Sequence, residues 1–178
     1  MVKKETVLKN ITIYITYLLL FWGFYRLLFK LPDNIEETVV KPIFWIIPLL
    51  YLLRIEKASL ESIGVTLKNL FPSIYLALGL GSLFVLEGLL GNFIKYGQLN
   101  FIANIGEKLI FSGFVISLAT AVTEELAFRG YIFNRLWKIF GKEIPANVVT
   151  TLFWPLIHVP IVIFVWRYPL MDSLVYLL

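Results

Sequence analysis

Apolar runs close to twenty residues long recur five times along this chain, and a run of that length has few places to go. Crossing the roughly 30 Å hydrocarbon core of a bilayer takes about 20 residues of helix, in which each backbone N–H and C=O is satisfied within the segment. The first run, Ile11 to Phe29, is interrupted only by Arg26. The second, Thr38 to Leu53, is short and holds Pro42 and Pro48, so it is read as a kinked span or one that snorkels at its ends through Lys41 and Arg54. Phe71 to Leu90 is the third, with Gly79 and Gly81 as close-packing positions and Glu87 as an interfacial residue near its end. The fourth runs from Leu109 to Phe133 and the fifth from Val148 to Trp166, the latter broken by Pro155 and Pro160. Pro169 to Leu178 opens a sixth run. The predicted fold class is all-α, a polytopic transmembrane helical bundle of five spans plus the start of a sixth.

Composition removes most other destinations. With 59% apolar and 16% charged residues and a mean hydropathy of +0.82, the surface of a soluble domain could not be covered, and the lipid bilayer becomes the first partner. The net charge of +4 is scattered through the connections, without the basic patch and interleaved aromatics that nucleic acid would need. The absence of cysteine excludes disulfides, thiolate metal sites and a cysteine nucleophile, and a single histidine, His158, excludes an HExxH metalloprotease helix. The basic N-terminus precedes an apolar run with no small-residue cleavage site, so the first span is read as retained. With the N-terminus in the cytoplasm, nine basic residues fall on that side and six, Lys41 among them, on the other. The stretch Arg54 to Asn69 reads as an amphipathic helix on the membrane surface.

Chemistry concentrates in the fourth and fifth runs. A charged side chain at mid-bilayer costs at least about 2.5 kcal/mol, so three within six residues, Glu124, Glu125 and Arg129, imply arranged partners. At 100° per residue Arg129 lies beside Glu125 and away from Glu124, which makes Glu125 and Arg129 the expected i,i+4 pair and leaves Glu124 without a local counter-ion. Such a carboxylate suits a general base. His158 lies between two prolines whose missing N–H groups free carbonyls that lipid cannot satisfy, so its surroundings are protein or a wet cavity. Trp154 precedes it by one turn on the same face, and Asn147, Thr150 and Thr151 add polarity at the helix start. Counting the 1.5 Å rise puts Glu124 roughly 8 Å and His158 roughly 15 Å from the cytoplasmic face, near enough to meet. Each residue also has a purely structural reading: a buried Glu125–Arg129 pair, a satisfied core histidine, a packed tryptophan.

These residues resemble a known family. Glu124-Glu125-Leu126-Ala127-Phe128-Arg129 is similar to the E-E-x-x-x-R first motif of the CPBP family, the CAAX-protease and bacteriocin-processing (Abi) intramembrane endopeptidases. Trp154 to His158 resembles its second motif, F-x-x-x-H, with Trp in place of Phe, and Ser59 to Val65 resembles the juxtamembrane segment upstream. The resemblance implies N-terminal membrane helices over residues 1–58 and a peptidase domain over 59–178, cut short at its C-terminus because the family's third motif, a histidine and an asparagine on a later helix, has no counterpart. The coding sequence is therefore expected to continue past Leu178.

By this resemblance Glu124 activates the hydrolytic water, Glu125 and Arg129 order the helix, and His158 holds the water or the oxyanion. Trp154 is the candidate substrate contact. A divalent metal such as zinc, if one is bound, would be held by Glu124 and His158, and the substrate is a membrane-associated peptide or protein cut near the cytoplasmic face of the plasma membrane. Two other readings stay open. One is a non-catalytic protein of the same fold, acting in bacteriocin immunity or as a scaffold. The other is a transporter or channel subunit, which the lack of an inverted repeat disfavours.

Overall fold

The computed structural model describes residues 3–29, 31–100, 110–165, 167, 169 and 171. Five helices are long and apolar enough to cross a membrane: α1 (Lys4–Tyr25), α2 (Asp33–Ile55), α3 (Leu70–Tyr96), α4 (Phe111–Phe140) and α5 (Glu143–Val165). The five expected spans are all present, with longer limits. The sixth apolar run lies almost wholly outside the described residues.

The largest difference is in α2. It begins at Asp33, so Glu36, Glu37 and Lys41 lie inside a 23-residue helix that is not short after all. Lys41 is buried, not snorkelling. A π-helical turn over Glu36–Val40 runs up to Pro42, which has no N–H to return to the preceding turn and whose ring crowds it. Pro48, further along, leaves the Phe44 carbonyl without its usual donor. The Tyr17 hydroxyl of α1 donates to that carbonyl at 3.1 Å, and the Tyr14 hydroxyl donates to the Trp45 carbonyl next to it at 2.9 Å. The proline is thus part of how α1 grips α2.

The chain divides into two compact units, Met1–Gly64 with Ile116–Leu178, and Val65–Val115. The core of the first is aromatic. Trp45 meets the rings of Trp22 and Phe128 edge-on, each at 5.9 Å between centroids, and Tyr14 meets Tyr131 at 5.5 Å. Two glycines set the closest approaches. A Cβ on Gly23 would lie 2.9 Å from Pro160 Cγ, bringing α1 onto α5, and one on Gly130 would lie 2.6 Å from the Ile63 carbonyl oxygen. In place of a surface helix, the residues of this stretch beyond Ile55 form only a 3-10 turn, Leu60–Ile63, ended by Gly64 at φ 86°. Left-handed residues at Lys57, Gly64 and Asn69 turn the backbone too often for a continuous helix.

Arg135, one of the nine basic residues assigned to the cytoplasmic side, is also buried. Its Nε donates to Glu56 at 3.1 Å, and its two terminal nitrogens donate to the carbonyl and hydroxyl of Ser62, both at 2.9 Å. Glu56 in turn accepts from Asn10 at 3.1 Å and from the Tyr131 hydroxyl at 2.6 Å. This network ties α1, α2, the 3-10 turn and α4 together at one end of the bundle.

In the second unit, α3 runs between left-handed residues, Asn69 and Gly97. Asn92 is its one buried residue and clasps Asn100 reciprocally. Among the described residues of this unit, a Cβ on Gly79 or Gly81 would meet nothing within 4 Å, so the close packing expected of them is not made within it. Glu87 is exposed and sits nine residues before the helix end at Tyr96.

Candidate functional site

Three helices bring the site together at one height. By the 1.5 Å rise, Lys41 lies roughly 21 Å from the Ile55 end of α2, Glu124 roughly 24 Å from the Phe140 end of α4, and His158 roughly 22 Å from the Glu143 end of α5. Because α4 continues to Phe140, Glu124 stands near the middle of its helix instead of close to the end.

Glu124 is not without a counter-ion. Lys41 Nζ donates to its Oε1 at 2.6 Å, and Trp154 Nε1 donates to its Oε2 at 2.8 Å. The partner comes from α2, where local periodicity on α4 could not reveal it. Lys41 also donates to Glu37 Oε2 at 2.9 Å, and the Thr120 hydroxyl donates to the same oxygen at 2.8 Å. Trp22 and Trp45 flank the ammonium, with ring centroids at 5.8 and 5.2 Å, so its charge is held in a mostly apolar setting. Two carboxylates share one ammonium, and the trio carries one net negative charge.

The prolines of α5 shape the other half. At the turn between Pro155 and Pro160, the His158 backbone N–H goes to the Pro155 carbonyl at 2.9 Å. The Trp154 carbonyl, the ordinary helical partner of that N–H, instead lies 2.8 Å from His158 Nδ1. A carbonyl only accepts, so Nδ1 carries the proton and Nε2 presents its lone pair. The two rings pack at 4.9 Å. Trp154 therefore holds Glu124 with its indole and His158 with its backbone, which brings together the expected base and the expected histidine.

Glu125 and Arg129 do not behave as the expected buried pair. Both are exposed and line a shallow depression beside Ile63 and Gly130, and no ion pair joins them among the described residues. Spacing puts them on one face, but that face looks away from the aromatic core of the first unit. The segment Leu126–Phe133 is a π-helix, so the 100° rotation assumed for Arg129 does not hold there. Removing Arg129 would strand no buried charge. Of the other polar residues on α5, Thr150 is satisfied by the Ala146 carbonyl of its own helix, while Asn147 and Thr151 are exposed.

Among the described residues the arrangement does not fit a divalent cation. A catalytic zinc takes about three protein ligands, and among the described residues no three His, Cys, Asp or Glu side chains come together. The Lys41 ammonium also occupies the position beside Glu124 that a cation would need. Lys41 and Glu37 are the residues that sequence reasoning missed. Their i,i+4 spacing on an apolar helix was the available signal.

Residues 105–178 match the family model of the Rce1-like type II CAAX prenyl endopeptidases, which bears out the resemblance read from the two motifs. The match takes in Glu124, Glu125, Arg129, Trp154 and His158 and leaves out Glu37 and Lys41. No curated protein and no solved structure matches the chain.

Proposed function

Starting from an Rce1-like segment whose two motifs meet inside a helical membrane protein, we propose that the chain works as an intramembrane endopeptidase of the CAAX-protease type, with Glu124 activating the hydrolytic water. The observation that carries this reading is the double hold of Trp154 on Glu124 and His158. Each Glu124 oxygen has one hydrogen-bond donor and a further lone pair, and its side chain is 15% exposed, so a water can reach it.

In this mechanism the water oxygen attacks the scissile carbonyl carbon while Glu124 takes one water proton. His158 Nε2, with its lone pair presented, accepts the other water hydrogen and orients the attack. The charge growing on the carbonyl oxygen needs a fixed donor. Lys41 supplies it, because Glu37 retains the ammonium as it turns from Glu124 to the substrate. The Glu124 proton then passes to the leaving amine as the C–N bond breaks, restoring the carboxylate. Glu125 and Arg129 lie outside this set and act on the helix surface around it. The substrate is a membrane-associated peptide or protein, which the exposed ring of Trp154 can meet. With the buried Lys41 and Arg135 both withdrawn from the connections, the basic residues stand eight to five in favour of a cytoplasmic N-terminus, in the plasma membrane.

One observation favours the non-catalytic alternative: Glu124 already has a full ion pair, as a structural carboxylate would. Hydrolysis of a quenched membrane-peptide substrate by the purified full-length protein separates the two. Glu124→Gln is expected to lower turnover by about 10²- to 10⁴-fold with thermal stability nearly kept, since Lys41 retains Glu37. Full activity in that variant would end the peptidase reading. An inert wild-type protein would favour the scaffold.

A further inference from the structure

A second cavity, of about 480 Å³, opens at the end of the bundle where the Glu56–Arg135 network lies. Four of its lining side chains are cationic, Lys4, Lys57, Arg135 and Lys138, against the single carboxylate of Glu56. Arg135 is balanced by Glu56 at 3.1 Å. Lys4 donates only to the Ile139 carbonyl, at 3.4 Å. Lys57 and Lys138 have no carboxylate partner among the described residues. Among the described residues the cavity therefore holds three positive charges without a carboxylate partner, beside an apolar wall that includes Val7 and Ile139.

Two further features specify the occupant. The cavity is formed at helix ends, by the first turns of α1, the residues just after α2 and the last turns of α4, which is the depth at which lipid headgroups lie. Lys57 is also in the left-handed region, at φ 50°, directly after the α2 terminus. Glycine is the usual residue there, and a lysine is strained. A side chain kept at such a position, and turned into a cavity, has a use beyond ending the helix.

We propose that this cavity binds the phosphodiester headgroup of an anionic phospholipid, with Lys4, Lys57 and Lys138 around the phosphate and the apolar wall against the glycerol and first acyl carbons. Basic pockets between membrane helices are suited to this ligand class. A free phosphate would satisfy the lysines and leave the apolar wall unused. The site is separate from that of Glu124 and does not depend on the peptidase reading.

The test uses the full chain in nanodiscs of mixed phosphatidylglycerol and phosphatidylcholine, extracted into detergent and weighed by native mass spectrometry. One phosphatidylglycerol should be retained in preference to phosphatidylcholine. In the Lys57→Gly/Lys138→Gln variant retention should fall about twenty-five-fold, or fivefold for each lysine. Lys57→Gly should leave the melting temperature unchanged or raised, so weaker lipid retention could not be put down to unfolding, and Lys138→Gln alone gives an independent reading. A control with Lys9→Gln and Lys142→Gln, exposed cations outside the cavity, should stay within about twofold of wild type. Equal retention of the two lipids overturns the proposal, as does an equal loss in the control. Lysine-dependent binding of inorganic phosphate without lipid retention also overturns it.

Discussion

Replacing Lys41 by methionine tests the ion-pair cluster most directly. The ammonium is held at 2.6 Å from Glu124 and 2.9 Å from Glu37, and the side chain is only 3% exposed. Methionine nearly keeps the volume of the stem but removes the charge. Two carboxylates then face each other between α2 and α4, with the Thr120 hydroxyl and the Trp154 indole among their donors. Breaking a buried pair by removing one partner costs about 3–5 kcal/mol. The carboxylates are 17% and 15% exposed, so water softens the loss and the lower end of that range applies. At about 2–4 °C per kcal/mol for a chain of this size, a loss of about 3 kcal/mol lowers the melting temperature by roughly 6–12 °C. Thermal unfolding in detergent, followed by circular dichroism, reads this directly. Adding Glu37→Gln and Glu124→Gln to Lys41→Met should recover most of the loss, since neutral amides no longer repel. If Lys41→Met melts within about 1 °C of wild type, the cluster does not hold α2 to α4 and the reasoning fails.

Three more substitutions probe the packing and the site. Gly130→Ala should destabilise by about 1–3 kcal/mol in the same melting assay, because its Cβ would lie 2.6 Å from a backbone oxygen, whereas Gly79→Ala, with open space around it, should be neutral or stabilising. Trp154→Phe removes the indole donor to Glu124 and keeps both the ring and the carbonyl that holds His158. Steady-state kinetics should show kcat lowered about tenfold at unchanged KM, the loss of one hydrogen bond to a charged group. A raised KM at unchanged kcat would return Trp154 to the role of substrate contact.

The five spans were legible because lipid leaves a long apolar run one solution, and each run became a helix. Their ends were less legible for a specific reason. Asp33, Glu36, Glu37 and Lys41 lower the local hydropathy, so the second span was expected to begin after most of them. In the folded chain these charges are inside the helix because Glu37 and Lys41 find each other, and Glu124 on α4. Hydropathy treats a charge as a cost without knowing whether a partner on another helix will cancel it.

The candidate site shows the same boundary between local and tertiary information. Glu37 with Lys41 and Glu125 with Arg129 have identical spacing, yet one forms an ion pair and the other does not. Spacing decides only which side chains can meet on a helix. What separates the two is the surface each faces: Lys41 is enclosed by Trp22, Trp45 and Glu124, while Glu125 and Arg129 look outward. A desolvated ammonium has to take a carboxylate partner, whereas nothing encloses Glu125 and Arg129 among the described residues to force them together. The meeting of Glu124 with His158 was legible for the opposite reason. Its α5 half is set by a local device, two prolines around a turn that leaves the Trp154 carbonyl to the imidazole, written within seven consecutive residues, and only the Trp154 indole bond to Glu124 crosses between helices.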